Sequence, residues 1–228
     1  DTDALAERLT MAGLEVDAVD KAAPPFTGVV VGEVIACQPH PDAERLKVCQ
    51  VDDGGESPLT VVCGAPNATV GLKAPFARVG ARLPGEVKIK KAKLRGVTSH
   101  GMLCSAKELA FSDDSAGLMA LPPDAPVGKD LRDWLALDDD VIEVELTPNR
   151  SDCLSMAGVA REVGVITGQS VTEPSIAAVP AACDAKLAVT LDAPDACPCY
   201  CGRVVRGVDV GAATPMWLQE RLRRAGIR

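Results

Sequence analysis

The sequence predicts an α+β protein in which a small five-stranded barrel is inserted into a split α+β domain, with a further strand-and-helix segment after it. Three observations carry this reading. Five short apolar stretches separated by turn residues recur at spacings near a dozen residues: Val29–Cys37, Arg45–Val51, Leu59–Cys63, Lys73–Val79 and Lys88–Arg95. Such a series fits a small antiparallel barrel. The flanking segments 2–20 and 141–171 each offer one helix-like and one strand-like piece, and neither is large enough to bury a core alone. Positive charge is concentrated in the last barrel strand, whereas the rest of the chain is acidic.

At the start, Leu5, Leu9 and Ala12 recur at spacings of four and three, which predicts an amphipathic helix over 3–12 with Thr2 as its N-cap and Gly13 just beyond its end. Leu14–Val19 alternates and reads as a strand. Ala22-Ala23-Pro24-Pro25 reads as a stiff linker into the barrel. Lys129–Leu137 suggests a short helix and Val141–Leu146 a strand that Pro148 ends. Ser151 can cap a helix over 152–167, with Leu154, Val159 and Val163 among its apolar positions. Insertion of a complete unit needs termini that lie close together. The strands around Val16 and Val144 are therefore expected to pair. Helices 3–12 and 152–167 are then expected to cover one face, with Leu5, Leu9, Val159 and Val163 in a common core. Residues 174–182 read as linker, Leu187–Leu191 and Tyr200–Val210 as strands, and Thr214-Pro215 as the opening of a helix that ends near Gly226.

Composition narrows the classes. The chain has 228 residues, a net charge of −8 and only six aromatic residues (Phe26, Phe76, Phe111, Trp134, Tyr200, Trp217), so its core rests on aliphatic side chains. It contains no apolar run of about 18 residues and no cationic-then-apolar leader, so no membrane span or secretion signal is expected, and a cytoplasmic location is. It starts at Asp1 and reads as a fragment. Nine cysteines is an odd number, and Cys37, Cys49, Cys63 and Cys104 stand singly in apolar strands, as reduced buried thiols do.

The charge pattern is the first functional signal. Nine cations (Lys73, Arg78, Arg82, Lys88, Lys90, Lys91, Lys93, Arg95, Lys107) face one acid, Glu86, between Gly71 and Lys107. That local +8 leaves −16 for the remainder of the chain. Eleven acids against Lys129 and Arg132 follow between Glu108 and Glu145. Lys88 and Lys90 alternate with Val87 and Ile89, which places ammonium groups on one strand face and apolar groups on the other. Lys91, Lys93 and Arg95 continue in the opposite phase, which implies a bulge or bend near Lys90–Lys91. A cationic strand face on a small β domain suits a polyanion, nucleic acid above all, although a solvated face would show the same charges.

Other chemistry-bearing residues read as structural. His40, in the turn Pro39–Leu46, has no second His or paired carboxylate beside it. Cys63 as a nucleophile would need partners that the sequence does not supply. Asp113 and Asp114 lack the glycine and terminal glutamate of a calcium loop. Cys197, Cys199 and Cys201 alternate, so a strand would place three thiols on one face. No fourth zinc ligand accompanies them.

The spacing of Ala92-Lys93-Leu94-Arg95-Gly96-Val97 followed by Ser99-His100-Gly101-Met102-Leu103-Cys104-Ser105 resembles the tRNA-binding OB-fold domain of free-standing tRNA-binding proteins and some aminoacyl-tRNA synthetases. Pro39–Leu46 is similar to that family's His-Pro-x-Ala-Asp-x-Leu segment, with Glu44 where Asp is usual, and Cys63–Asn67 also matches. Together with Thr147-Pro148-Asn149-Arg150-Ser151-Asp152-Cys153-Leu154 and the tail 197–226, these blocks resemble the N-terminal part of the β-subunit family of bacterial phenylalanine–tRNA ligases. In that family Arg is usual at position 199 and a residue other than Cys at 201.

The resemblance implies an order of parts. Residues 1–22 and 148–178 are the halves of the split domain, 23–147 the OB-fold tRNA-binding domain, and 179–228 the truncated start of a central, editing-type module. It implies an α2β2 cytoplasmic ligase of protein biosynthesis that uses ATP and Mg2+ to join phenylalanine to tRNA. Its partners are tRNA and an α subunit, with no membrane and no DNA. This fragment would be inactive alone, with no catalytic, cofactor or metal residue of its own, and would bind RNA through Lys88, Lys90, Lys91, Lys93, Arg95, Lys73 and Arg78. Two alternatives keep the fold: an assembly module whose basic face meets acidic protein, and a free-standing oligonucleotide-binding protein, which the tail after Thr147 disfavours. A zinc- or thiol-dependent enzyme rests on the cysteine cluster alone.

Overall fold

The computed structural model describes residues 1–227 and shows a mixed α+β chain with antiparallel sheets. It divides into two compact units: Asp1–Ser151 together with the terminal stretch from Pro215, and Asp152–Thr214.

The first unit opens with α1 (Thr2–Met11) and β1 (Glu15–Lys21). The N-cap is Asp1, whose side chain accepts from the Asp3 amide, rather than the expected Thr2. The Thr2 hydroxyl instead donates to Asp140 Oδ2 at 2.7 Å, tying the helix start to a distant strand. Gly13, at φ +90°, leaves the helix as its position suggested. Leu9 and Leu14 are buried beneath this turn.

The main sheet comprises β2 (Thr27–His40), β3 (Ala43–Asp52), β4 (Leu59–Cys63), β5 (Lys73–Leu83) and β6 (Val87–Lys88), in the order β4-β3-β2-β5-β6. The long β2 serves two neighbours: Thr27–Glu33 pairs with β5, and Glu33–His40 with β3. Its hinge includes Gly32, where a Cβ would lie 2.7 Å from the Phe76 Cβ, so only glycine lets β2 pack onto that ring. β7 (Ala92–Leu94) and β8 (Val97–Ser99) form a separate hairpin, and β9 (Met102–Leu103) pairs with β5.

The five expected strands are thus present in four cases, and the fifth is a correction. Lys88–Arg95 is not one strand: β6 ends at Lys88, Ile89 still bonds to β5, and the chain leaves that ladder over Lys90–Lys91 before β7 begins at Ala92. Ile89 is 7% exposed, held by its amide to Ala81 O and by its carbonyl from the Gly80 amide, while Val87 is half exposed. The expected apolar face of that strand therefore reduces to one anchored side chain. The sheet also does not close into a ladder-sealed barrel. Between β4 and β8 the work falls to a side chain and one backbone bond: buried Ser99 Oγ accepts from the Val62 amide at 3.0 Å and donates to Gly101 O, and the His100 amide donates to Thr60 O at 2.8 Å.

Two apolar clusters fill the sheet. Phe26, Val29, Val31, Leu109, Leu121 and Leu131 anchor one; Val34, Val51, Val61, Phe76, Leu103 and Leu118 anchor the other. α2 (Leu131–Trp134), capped by Asp130, is shorter than the expected 129–137 helix. β10 (Asp140–Glu145) then pairs antiparallel with β1, with Val16 directly opposite Val144. The pairing inferred from the need to close an insertion is therefore the pairing found. α4 (Met216–Arg224) docks on this unit through Arg224, which donates to Leu135 O and Ala136 O and pairs with Asp139. Its N-cap position is Pro215, which carries no side-chain cap.

The second unit follows the 3₁₀ turn Pro148–Cys153. Its helix α3 (Met156–Thr167) is capped by Ser155, whose hydroxyl accepts from the Gly158 amide, and ends at Gly168 with φ +70°. The cap therefore lies four residues past the expected Ser151, since the proline-led 3₁₀ turn occupies the intervening residues. The expected strands Leu187–Leu191 and Tyr200–Val210 do not form. No strand pairs with either among the described residues, and Leu187 and Val210 are 80% and 96% exposed, so neither the ladder nor the burial that stabilises a strand is present.

Candidate nucleic-acid interface

The cationic block is a short loop ending in a hairpin. Lys88 is set opposite Arg82 on β5, Ile89 inserts into the core, and Lys90–Lys91 span to β7. Arg95 and Gly96 form the two-residue turn between β7 and β8 with φ of 45° and 91°. Positive φ at both central residues matches the strand twist of a tight hairpin and explains glycine at the second position. The break over Lys90–Lys91 is the bend that the change of alternation phase implied.

His40 fixes this hairpin in place. It is 5% exposed, its Nδ1 accepts from the Asp42 amide at 3.1 Å, and its Nε2 lies 3.2 Å from Leu94 O. The first bond requires a bare Nδ1, so Nε2 carries the proton and donates to Leu94 O. One neutral imidazole thus ties the β2–β3 turn to β7. His40 is a structural residue, as its isolation in sequence suggested, but the sequence did not disclose its partner.

The seven residues expected to meet RNA separate into two groups. Lys88, Lys90, Lys91, Lys93 and Arg95 are all exposed, and none has an ion-pair partner among the described residues. Lys73 and Arg78 are committed elsewhere. Lys73 Nζ donates to Pro123 O and Ala125 O, each at 2.7 Å. Arg78 donates from Nε to Asp53 Oδ2 and from its terminal amine to Asp53 O, both at 2.7 Å. Five exposed cations on one loop form a positive surface. Phe26, Phe76 and Phe111 lie inside or against the core and offer no stacking platform beside it.

The motif Ser99–Ser105 has a packing role. Gly101, at φ +135°, lies where a Cβ would meet the Phe76 ring at 2.5 Å and Ala77 O at 2.7 Å. Ser105 and Glu108 form a reciprocal box: the Ser105 amide and hydroxyl donate to the Glu108 carboxylate, and the Glu108 amide donates back to Ser105 Oγ. That S-x-x-E spacing was a readable signal. Asn67, which joins Leu118 through both its N–H and its carbonyl, had no such signal.

Cys63 and Cys104 are not set up as nucleophiles. Burial pushes the Cys63 thiol up, and pushes Cys104 up to about 12. An activated thiolate would need the opposite shift. Cys197, Cys199 and Cys201 are exposed in irregular chain, so the alternation that would align three thiols is not realised. Among the described residues, no group of three or more His, Cys, Asp or Glu side chains is placed to hold a metal ion. No described helix is long and apolar enough to cross a membrane.

The antiparallel sheet and its cationic hairpin lie within one segment that matches a known domain family. Residues 29–130 match the family described as "Putative tRNA binding domain". The chain is homologous over its whole length to part of the β subunit of phenylalanine–tRNA ligase. It is 60% identical over 226 residues to the phenylalanine–tRNA ligase β subunit of Pseudomonas fluorescens, covering 99% of this chain and 28% of that protein. It is 59% identical to that of Thiobacillus denitrificans and 58% identical to that of Aromatoleum aromaticum, over 100% of this chain and 29% of each relative. The chain thus spans less than a third of the length of these relatives.

Proposed function

We propose that this chain supplies an RNA-facing surface to a phenylalanine–tRNA ligase, with the loop Lys88–Arg95 lying along the phosphate backbone of tRNA. The observation that carries the reading is the set of five exposed cations without internal partners, held on a hairpin pinned by His40. Charge of this kind binds phosphates by releasing counterions and does not read bases. The scarcity of aromatic side chains makes the binding sequence-indifferent. Lys73 and Arg78 support the sheet beneath it.

The whole protein, on this proposal, is the β chain of an α2β2 cytoplasmic enzyme that joins phenylalanine to tRNA with ATP and Mg2+. Catalytic groups, ATP and Mg2+ lie outside this chain. Residues 23–147 act as an OB-type domain inserted between 1–22 and 148–178, and 179–228 begin a further module. The Val16–Val144 pairing supports the insertion. A titration of tRNA with the chain at several salt concentrations tests the RNA reading. Affinity that falls steeply with salt supports it. Absence of binding at low salt would leave the basic loop as a contact for acidic protein.

A further inference from the structure

We propose that Cys37 and Cys49 are a cross-strand dithiol that a peroxide converts reversibly to a disulfide, stapling β2 to β3. The two residues stand directly opposite each other in the antiparallel pair. Opposed residues in such a pair have Cα atoms about 4.5–5.5 Å apart, within the span that a disulfide bridges. Their sulfurs are already 3.5 Å apart, with Cys49 donating to Cys37 Sγ. Bond formation therefore needs a side-chain adjustment and no movement of the strands.

Access is unequal, and that assigns the roles. Cys49 is fully buried, whereas Cys37 is half-buried and lines an open cleft of about 310 Å³ together with Lys47, Leu46 and Thr69. A peroxide is small enough to enter it. Lys47 Nζ and Cys37 Sγ meet at one atom: both donate to Ala68 O, at 2.7 and 3.6 Å. Cys37 is the sulfur that faces the cleft and accepts the Cys49 S–H, so it meets the peroxide first and attacks as its thiolate. Burial and the neighbouring Cys37 push Cys49 up to about 12, which suits a resolving thiol that reacts second. Cys63 lies in the same cluster but is engaged by the Ala65 amide and has Lys47, not a cysteine, opposite it on β3.

The step balances. Cys37 sulfur attacks one peroxide oxygen, the O–O bond breaks, and the leaving oxygen departs as water with the proton that Cys37 gave up. Cys49 sulfur then attacks the Cys37 sulfenic sulfur. The S–O bond breaks, and the hydroxide leaves as a second water with the Cys49 proton. Two thiols lose two electrons, and one peroxide becomes two waters. A dithiol reductant reverses the reaction.

The test is peroxide treatment of the full chain, followed by alkylation, non-reducing digestion and mass spectrometry. The expected result is a peptide pair joined through Cys37 and Cys49, lost on treatment with dithiothreitol. Among the nine cysteines, these two alone in the sheet region should resist alkylation of the denatured, unreduced chain. In Cys49→Ala, Cys37 should accumulate as a sulfenic acid trapped by dimedone. The wild-type map stands whether or not that variant folds. Two outcomes overturn the proposal: Cys37 and Cys49 both still alkylated once exposed Cys199 and Cys201 are oxidised, or Cys37 joined to Cys63 instead.

Discussion

The separation of free from committed cations yields a prediction in which charge and structure move different observables. Replacing Lys88, Lys90, Lys93 and Arg95 together by Ala removes four of the five unpartnered positive groups and no internal hydrogen bond. If each neutralises one phosphate on a single-stranded or irregular RNA surface, the slope of log K against log salt is about −0.7 per contact, or about −3 for four. Between 50 and 200 mM salt, the wild type with all five groups has a slope of about −3.5 and loses roughly a hundredfold in affinity, whereas the quadruple variant, left with Lys91, should lose only about threefold. Fluorescence anisotropy with labelled tRNA at four salt concentrations reads both numbers. Lys73→Ala is the internal control. It removes the ammonium that donates to Pro123 O and Ala125 O, so it should lower stability by about 1 kcal/mol in urea while leaving the slope intact. If the quadruple variant keeps the wild-type slope, the hairpin is not the phosphate surface. If Lys73→Ala flattens the slope without loss of stability, the division between the two groups is wrong.

Three further outcomes follow from single residues. His40→Ala removes both the Asp42 and Leu94 bonds and should destabilise the protein by about 2 kcal/mol, with faster amide exchange at Val97–Ser99 than elsewhere in the sheet; unchanged exchange there would dismiss His40 as the pin. Gly101→Ala places a methyl group against Phe76 and Ala77 O at a φ that L-residues avoid, and should cost about 3 kcal/mol or more by thermal melt. Asp140 is held below its usual carboxylate value of 3.8 by hydrogen bonds from Lys21 and Thr2. Its contribution is therefore complete above that value and fades as pH falls through the lower folded one. Asp140→Asn should be less stable than wild type at pH 7, and the gap should close progressively below about pH 4; a gap constant from pH 7 to 2 would assign the loss to something other than the charge.

Much of the sheet was legible because its strands are bounded by turn chemistry and carry β-branched runs. Leu59–Cys63 matches residue for residue, and β2, β3 and β5 each extend beyond the expected ends. They extend because a long bent strand can serve two partners at once, a tertiary fact that local periodicity does not encode. The pairing of Val16 with Val144 was legible for a different reason: neither segment could bury its face alone, so topology left few choices. Where sequence failed, the missing quantity was a partner. Leu187–Leu191 alternates as a strand should, but a ladder needs a second strand, and none pairs with it among the described residues.

The candidate site shows the same limit at the scale of side chains. Charge counting found all five free cations, yet it grouped Lys73 and Arg78 with them, because composition cannot tell an ammonium facing water from one donating to two carbonyls. The phase change at Lys90–Lys91 did carry geometric information. Two alternations in opposite phase cannot share one flat strand, and the chain resolves the conflict by burying Ile89 and restarting as a hairpin. That restart has a consequence for recognition. A flat strand would have presented half its cations to one side, whereas the break leaves Lys88 on the sheet edge, Lys93 on β7 and Arg95 in the hairpin turn. A polyanion can meet several cations spread over a strand edge, a loop and a turn at once, and a single carboxylate cannot, which is consistent with the proposed phosphate backbone.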